Sequence, residues 1–248
     1  MEDKVFGASG SRVVIEEFLT GPEVSVLSFT DGKTLCPMVS SKDHKRALDG
    51  DKGLNTGGMG TVSPNPFYSD EMAKRCMEEI FLPTVKAMNE EGRPFKGCLY
   101  FGLMLTEKGP KVIEYNARFG DPECQAVLSL LDSDLMDIFT ACREGTLDRA
   151  DIHWKHQAAC CLVLASGGYP LDYQKGYPIS GLEEAGKSAV VFHAGTRLDE
   201  HGQYLTNGGR VLGVTALGNT LEQAIANAYA AAKPISFTGM HFRTDIGR

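Results

Sequence analysis

The stretch KVIEYNARFGDPE, residues 111–123, places many polar side chains where a strand should be ending in the core. Residues i and i+2 of a strand point to the same face, so Glu114 and Asn116 would project together. A carboxylate and an amide oxygen side by side suit Mg²⁺, which usually shares its remaining sites between water and substrate phosphates. If the strand continues, Arg118 lies on that face and can donate two hydrogen bonds to a phosphate. The same alternation also occurs on half-exposed strands that bind nothing, so both interpretations stay open from these residues alone.

A tight turn follows this strand. Gly120 permits a close backbone, and Pro122 restricts the conformation of Asp121, the residue before it. The turn therefore brings a further carboxylate near the metal pair and the arginine. Together these groups predict a site for the phosphates of a nucleotide.

A second polar cluster occupies residues 42–60. Its cations are Lys42, His44, Lys45 and Arg46. The motif NTGGMG, residues 55–60, can expose backbone N–H groups that cradle an anion. It is not a Walker A motif, because no Gly-Lys-Ser/Thr follows. A solvated, charged loop whose glycines only form turns is the alternative interpretation.

Two further sites carry weaker signals. Glu16 and Glu17 end a β-branched run, where one carboxylate would face inward and an unpaired charge is unfavourable. A ligand with amine or hydroxyl donors would explain them. Arg210, in TNGGRV at residues 206–211, can be a ligand contact or only part of a glycine turn before a strand.

Regular patterns dominate the first part of the chain. β-Branched and apolar runs predict strands near 13–18, 23–30 and 34–39, with a hairpin turn at Asp31-Gly32. Residues 42–66 have no periodicity and predict a long functional loop.

Helix signals follow. Ser69 is the predicted N-cap of a helix that Pro83 disturbs. Residues 96–119 predict a hairpin that turns at Glu107 to Pro110. Ser133 caps a second helix, which ends near Gly145.

The pattern changes after residue 155. The later elements are an apolar strand over 158–166, strands near 189–193 and 209–215, and an alanine-rich helix over 220–235. The chain is therefore predicted to be α+β, with one domain over residues 1–155 and a smaller β-rich domain over 156–248.

Composition limits the class of protein. The 248 residues are 42% hydrophobic and 23% charged, which is typical of a globular chain with a real core. The net charge of −7 argues against nucleic acid or an anionic membrane as a partner. No apolar run approaches the length of a membrane span, and the N-terminus does not resemble a signal peptide. Seven cysteines without a CxxC pair predict free thiols and a cytosolic location.

The motifs together resemble a known family, the phosphoribosylamine–glycine ligases (glycinamide ribonucleotide synthetases) of the ATP-grasp superfamily. The matching stretches are VVIEEFLTGPE, DHKR, NTGGMG, KVIEYNARFGDPECQ, GGYPLDY, VFHAGT, TNGGRVLGVTA and FRTDIG. They occur in the family's order over nearly the whole chain. The resemblance implies an ATP-grasp fold and a step of purine synthesis in which ATP phosphorylates glycine and the amine of 5-phosphoribosylamine attacks the acyl phosphate.

The resemblance also implies roles for individual residues. Glu16, Glu17, Phe18 and Leu19 would form the hinge that binds adenine, and Glu23 would reach the ribose. Glu114 and Asn116 would hold Mg²⁺ or Mn²⁺, Arg118 would stabilise the transferring phosphoryl group, and Asp121 would lie near glycine or the amine. The acceptor pocket would be lined by Asp43, His44, Lys45, Arg46, Asn55, Thr56, Gly57, Gly58, Met59 and Gly60, with Arg210 near the ribose phosphate.

One departure from the family pattern changes the expected activity. The family's N-terminal domain and the first half of its small ATP-grasp subdomain, with a lysine and a glycine-rich lid, have no counterpart here. We therefore expect a partial ATP-grasp fold, weak nucleotide binding and little ligase activity from this chain alone. The partial subdomain would expose apolar surface and favour self-association.

Two alternatives remain. The chain can be a non-catalytic nucleotide-binding or scaffold module with the same fold. It can also be a related ATP-grasp ligase with another acceptor, such as a carboxylase of the same pathway, although NTGGMG beside DHKR argues against this.

Overall fold

The computed structural model describes residues 7–248, which fold into an α+β arrangement of four sheets and six α-helices. The strands are β1 (Glu23–Thr30), β2 (Leu35–Pro37), β3 (Lys42–Asp43), β4 (Arg46–Leu48), β5 (Lys52–Asn55), β6 (Gly60–Ser63), β7 (Gly97–Thr106), β8 (Gly109–Asn116), β9 (Ala158–Ala165), β10 (Val190–His193), β11 (Thr196–Leu198), β12 (Tyr204–Thr206) and β13 (Arg210–Gly218). The helices are α1 (Asp70–Cys76), α2 (Leu82–Glu90), α3 (Glu123–Val127), α4 (Leu135–Glu144), α5 (Leu182–Ala185) and α6 (Leu221–Ala232). No helix in this part of the chain is long and apolar enough to cross a membrane.

The first sheet has four antiparallel strands in the order β2–β1–β7–β8. Alternate residues of β1 point to opposite faces. Val24 and Val26 pack with the helical segment around α1, whereas Leu27 and Phe29 pack against α4 on the other face. Both faces are therefore covered, which explains why β1 is buried over almost its whole length.

The second sheet joins strands from distant parts of the sequence, in the order β10–β13–β9–β6–β3. Helix α6 packs on it through alanines, whose small side chains allow close approach. β3 and β6 lie before the predicted boundary near residue 155, and β9, β10 and β13 lie after it. The sheet thus includes strands from both predicted domains, and the boundary itself stays a prediction.

Two of the predicted elements were wrong. Residues 13–18 form no strand, and Val14 and Phe18 are 85% and 90% exposed. A strand needs a neighbour for its backbone hydrogen bonds, and no described strand pairs with this segment. Residues 42–66 are not an irregular loop: they contain the antiparallel pair β4–β5 and the strands β3 and β6.

The helix signals were largely confirmed. Ser69 caps α1 by accepting a hydrogen bond from the N–H of Met72. A wide π-helical turn, Met77–Phe81, separates α1 from α2 and ends two residues before Pro83, which lacks an N–H to continue the α-helical pattern. Gly145 ends α4 with φ of 77°.

The predicted cap Ser133 was wrong. Asp134 caps α4, because its carboxylate accepts hydrogen bonds from the N–H groups of Met136 and Asp137. The hydroxyl of Ser133 instead accepts a hydrogen bond from the N–H of His153.

Candidate functional site

The predicted metal pair lies at the end of β8, on one face of the first sheet. Glu114 is directly opposite Gly102 of β7, and Asn116 is opposite Tyr100. The amide of Asn116 donates a hydrogen bond to Oε1 of Glu114 at 3.2 Å, so the two side chains meet as predicted. Glu114 is exposed and open to a ligand.

These two side chains fit a hard divalent cation as a partial site. Each offers an oxygen donor, which Mg²⁺ and Mn²⁺ prefer. Among residues 7–248, no group of three or more His, Cys, Asp or Glu side chains could hold a metal ion. An ion at this pair would take its remaining ligands from water or from substrate phosphates, as Mg²⁺ commonly does.

Arg118 lies beyond this strand. β8 ends at Asn116 and the chain bends at residues 117–118, so the strand does not continue and the condition under which Arg118 would share the face of the metal pair is not met. Its exposed guanidinium donates a hydrogen bond to the carbonyl of Phe119 at 2.8 Å. The side chain is therefore tethered by one neutral contact and is otherwise open to solvent.

The predicted adenine hinge lines a cavity next to the metal pair on the same hairpin. The cavity, about 410 Å³, is lined by Glu16, Glu17, Phe18, Leu19, Glu23, Met104, Lys111, Val112 and Ile113. Glu23 and Met104 are paired across β1 and β7, one step along the sheet face from Gly102. Cavity and metal pair thus lie on neighbouring parts of one hairpin, as a ligand with a base and phosphates would require.

Lys45 connects this face to the polar segment. Its Nζ lies 3.1 Å from Oε2 of Glu23. Burial alone would lower the pKa of Lys45, but the charge and hydrogen bond of Glu23, with the charges of Asp43 and Glu114, raise it overall. Lys45 therefore stays a cation beside the candidate phosphate site.

The other predicted cations do not converge with it. His44 is buried: its Nδ1 contacts the carbonyl of Gly60, and its Nε2 accepts a hydrogen bond from the N–H of Gly247. Burial lowers the pKa of His44 to about 4, so the ring is neutral. Lys42 donates to the carbonyl of Arg248, and Arg46 donates to Gly53. Three of the four predicted cations thus contact backbone groups instead of lining a common anion site, and one of them, His44, is uncharged.

The expectation that NTGGMG holds open N–H groups for an anion was wrong for most of the motif. The N–H of Thr56 donates to Lys45, that of Gly57 to the hydroxyl of Tyr169, that of Gly58 to the hydroxyl of Thr56, and that of Met59 to His44. Asn55 lies in β5, opposite Arg46, and Gly60 begins β6. The glycines serve close packing instead: a Cβ on Gly58 would lie 2.5 Å from Pro122.

Arg210 joins the glycine motif to the Asp121 turn. Its Nη1 donates to the carbonyls of Gly57 and Asp121, both at 2.7 Å, and lies 3.1 Å from the carboxylate of Asp121. A Cβ on Gly57 would lie 3.0 Å from Cζ and Nη2 of Arg210. A larger residue at position 57 would therefore push the guanidinium away from the loop by a few tenths of an ångström. Arg210, Gly57 and Asp121, predicted from separate motifs, meet in one assembly.

A buried acidic network lies behind the turn. Glu123 is 4% exposed, and its Oε1 accepts a hydrogen bond from the hydroxyl of Tyr100 at 2.9 Å. The hydroxyls of Tyr100 and Ser25 are 2.7 Å apart. Burial and the charge of Glu123 raise the pKa of Tyr100, so it remains a neutral donor. None of these three residues was assigned a role from the sequence. Glu123 stood inside a polar motif, whereas Tyr100 and Ser25 gave no local signal.

Asp43 is the one member of the site without a hydrogen-bond partner for a buried oxygen. No donor reaches its Oδ1, which lies 2.7 Å from the position that a Cβ of Gly58 would occupy. Burial and then the charge of Glu123 raise its pKa well above the usual value, although Lys45 and Arg210 act in the opposite direction. A carboxyl group held in this way lowers the stability of the fold, which is common at functional sites.

We expect Asp43→Asn to stabilise the chain at neutral pH. A carboxyl group with a raised pKa in the folded state binds more protons there than in the unfolded chain. Stability therefore falls as the pH rises from the unfolded pKa to the folded one. Urea midpoints should be higher for Asp43→Asn than for the unaltered chain at pH 7, and the difference should shrink toward pH 4. A difference that grows toward acid pH would contradict this interpretation.

Comparison with solved structures shows which fold the chain has. The chain superposes on an L-amino acid ligase from Bacillus licheniformis with a TM-score of 0.60 at 16% identity, covering 89% of this chain and 54% of that one. It superposes on the biotin carboxylase domain of a thermophilic 2-oxoglutarate carboxylase with a TM-score of 0.64 at 14% identity, covering 90% and 49%. Likeness at such low identity concerns the fold alone.

More similar proteins define the family. The profile of the phosphoribosylglycinamide synthetase ATP-grasp (A) domain matches residues 1–124, and the profile of the C domain of the same synthetase matches residues 159–248. The chain has an ATP-grasp fold. It belongs to the phosphoribosylglycinamide synthetase family.

Individual relatives agree with this placement. The phosphoribosylamine–glycine ligase of Clostridium acetobutylicum is 51% identical over 100% of this chain and 59% of its own length. The ligase of Neisseria meningitidis serogroup A is 51% identical over 98% and 58%. The crystal structure of the Thermotoga maritima ligase superposes with a TM-score of 0.84 at 34% identity, covering 93% of this chain and 56% of that one. The chain thus spans somewhat more than half the length of these relatives.

Proposed function

We propose that this chain supplies the metal-binding and acceptor-binding part of a ligase that joins glycine to 5-phosphoribosylamine with ATP. The observation that carries the proposal is the oxygen pair of Glu114 and Asn116, which lies beside a hinge cavity on one sheet hairpin. Family membership supports the identity of the substrates. Both matching profiles belong to the glycine-ligating family, which favours glycine over the substrate of a related carboxylase.

The proposed reaction has two bond exchanges. A glycine carboxylate oxygen bonds to the γ-phosphorus and the bond to ADP breaks. The amine nitrogen of phosphoribosylamine then bonds to the acyl carbon, phosphate leaves with the electron pair of the broken C–O bond, and the nitrogen loses a proton. The overall products are glycinamide ribonucleotide, ADP and phosphate. Such a sequence needs alignment and charge neutralisation more than a protein nucleophile.

The residues around the end of β8 would neutralise the charge of the ATP phosphates. Glu114 and Asn116 would hold Mg²⁺ or Mn²⁺, which when bound neutralises phosphate charge. Lys45 stays charged next to Glu23 and adds a cation near that pair. Arg118 has free donors for the transferring phosphoryl group.

The acceptor side would lie at the assembly of Arg210, Gly57 and Asp121. Nη1 of Arg210 is engaged by the protein, while a guanidinium carries further donors that can bind a ribose phosphate. The carboxylates of Asp121 and Asp43 lie next to the same loop and can receive amine groups. The seven free cysteines support the cytosolic location expected for such a protein.

Glycine-dependent release of ADP tests this proposal. With phosphoribosylamine and Mg·ATP present, we expect slow release that requires glycine, since the chain spans just over half of its relatives' length. Arg118→Ala should reduce the rate roughly tenfold or more, by analogy with the loss of a transition-state donor. Arg197→Ala, an exposed arginine on β11, is the matched control and should leave the rate unchanged.

Two other outcomes of this assay would argue against the proposal. A rate equal to that of a full-length relative measured alongside would contradict the expected low activity. Binding of Mg·ATP without any glycine-dependent release would favour the alternative of a non-catalytic nucleotide-binding module.

A further inference from the structure

Gly102 occupies a central position on the sheet face that carries the metal pair. On β7 it is paired with Ser25 of β1 on one side and with Glu114 of β8 on the other. The pairing of β7 and β8 is irregular between Gly102 and Leu103, directly next to this position. An irregularity of this kind changes the direction in which nearby side chains point.

The backbone at Gly102 does not itself require a glycine. Its φ lies outside the left-handed range, so any residue could adopt the conformation. Glycine in a strand interior is otherwise unfavourable, by about 0.5–1 kcal/mol relative to alanine. The reason for a glycine here must therefore lie in the space above it.

That space is filled by the side chain of Glu114. A Cβ on Gly102 would lie 2.9 Å from Cγ of Glu114 and 3.3 Å from Cε1 of Tyr100. Real Cβ atoms essentially never approach another heavy atom to 2.9 Å, so a side chain at this position would displace the stem of Glu114. Gly102 is buried, which shows that its neighbours close over the bare backbone.

The position of Glu114 determines where its carboxylate can act. In this arrangement Oε1 of Glu114 accepts a hydrogen bond from the amide of Asn116 at 3.2 Å. The charge of Glu114 is also close enough to Lys45 to raise the pKa of that lysine. Tyr100, which completes the space above Gly102, is held by hydrogen bonds to Ser25 and Glu123. One wall of that space is therefore fixed, and the freedom of the Glu114 stem depends on what occupies position 102.

We propose that Gly102 is a positioning residue for the metal pair: its missing side chain forms the seat that holds the Glu114 carboxylate beside Asn116. The inference rests on the proposed metal and nucleotide site. Gly102 contacts neither metal nor nucleotide and acts through Glu114 alone. A methyl group at position 102 lifts the carboxylate away from Asn116 and separates the two oxygen donors.

Binding of Mn²⁺ and of Mg·ATP to the full 248-residue chain tests this role without any need for catalysis. Mn²⁺ affinity is measured by water-proton relaxation, and ATP affinity by calorimetry with and without Mg²⁺. Gly102→Ala should weaken Mn²⁺ binding and the Mg²⁺-dependent part of ATP binding by roughly tenfold, as for overpacking of a closely packed site. ATP binding measured without Mg²⁺ should change little.

Gly213→Ala is the matched control. Gly213 lies inside β13 of the other sheet, has no left-handed φ, and a Cβ there would lie 3.2 Å from the sulfur of Cys161. It therefore reproduces a glycine-to-alanine change with a close contact in a strand interior, on a different sheet from Glu114. Its Mn²⁺ and Mg·ATP affinities should equal those of the unaltered chain.

A double-mutant cycle separates positioning from a general structural effect. In a chain that already carries Glu114→Ala, the Gly102→Ala change should weaken Mn²⁺ binding no further, because the residue through which it acts is gone. Additive losses, or an unchanged affinity in Gly102→Ala, would overturn the role of Gly102. Failure of the unaltered chain to bind Mn²⁺ or Mg·ATP would instead overturn the proposed metal site. If Gly102→Ala does not fold, the Gly102→Ala/Glu114→Ala double variant should recover folding, because the Cγ that the added methyl group meets is then absent. A double variant that stays unfolded would overturn the role of Gly102.

Discussion

Glu114→Ala is expected to lower the affinity of the chain for Mg·ATP by roughly 10- to 100-fold, which corresponds to the loss of a charge-assisted contact of about 1.5–3 kcal/mol. In the pair formed by Glu114 and Asn116, the carboxylate of Glu114 is the only charged group. Without it, the amide oxygen of Asn116 is left as a single neutral donor, which is too weak to compete with water for Mg²⁺. The loss should disappear when Mg²⁺ is omitted, because the adenine cavity at Glu16–Leu19 is unchanged.

Calorimetry measures this change directly. Glu90→Ala is the control, since Glu90 is an exposed helix residue with only a distant partner, Lys86, at 3.8 Å. The control should bind Mg·ATP as the unaltered chain does. An equal affinity in Glu114→Ala and Glu90→Ala, each measured with Mg²⁺, would mean that Glu114 holds no metal.

The second large effect concerns stability. Arg243 is 1% exposed, and its guanidinium contacts Asp245 through Nε at 2.7 Å and Nη2 at 2.9 Å, and Asp51 through Nη1 at 2.8 Å. Nη1 also donates to the carbonyl of Arg46, so this residue ties the C-terminal segment to the β4–β5 pair. Arg243→Ala should reduce the free energy of unfolding by about 3 kcal/mol, the lower end for a broken buried pair, because Asp51 is largely exposed.

Urea unfolding at pH 7 tests this value, with the exposed Arg197→Ala as control. The pH dependence gives an independent test. The hydrogen bond from Arg243 holds the pKa of Asp245 well below its usual range. The resulting stabilisation is complete above the unfolded pKa near 4 and is lost as the pH falls toward the folded one. The unaltered chain should therefore lose stability below pH 4 more steeply than Arg243→Ala. A loss under 1 kcal/mol at pH 7 would contradict the assigned contacts.

Local signals predicted much of the fold. The apolar run of β9 and the periodic helix after Ser69 follow from side-chain spacing and capping, which act within a few residues. The Glu114–Asn116 pair was predictable for the same reason, since strand geometry alone places both side chains on one face.

Other parts depend on partners far away in the sequence. β6 is short and contains no apolar alternation, yet it forms a strand because it pairs with β9, almost a hundred residues later. The reverse holds for residues 13–18, which have strand-forming side chains but no described partner. The strand propensity of a residue reflects how well its side chain packs beside a neighbouring strand. A single sequence does not specify which strand that neighbour is.

The candidate site shows the same division. Arg210 was a weak candidate in its own motif, because nothing local reveals that Gly57 and Asp121 lie against it. The predicted anion cradle at NTGGMG failed for a related reason: its N–H groups are bonded by Tyr169 and by residues of the neighbouring strands. Exposed apolar side chains at Val14 and Phe18 are compatible with the predicted self-association, which stays a prediction.

The location of a bound metal tests the central claim most directly. In a ¹⁵N-labelled chain, Mn²⁺ added with ATP broadens the amide signals nearest to the ion. We predict that signals from Gly102, Glu114 and Asn116 broaden first and that Glu114→Ala abolishes this selective broadening. Broadening centred instead on Asp51 and Asp245, the carboxylates that contact Arg243, or spread evenly over the surface, would contradict a nucleotide-metal site on β8.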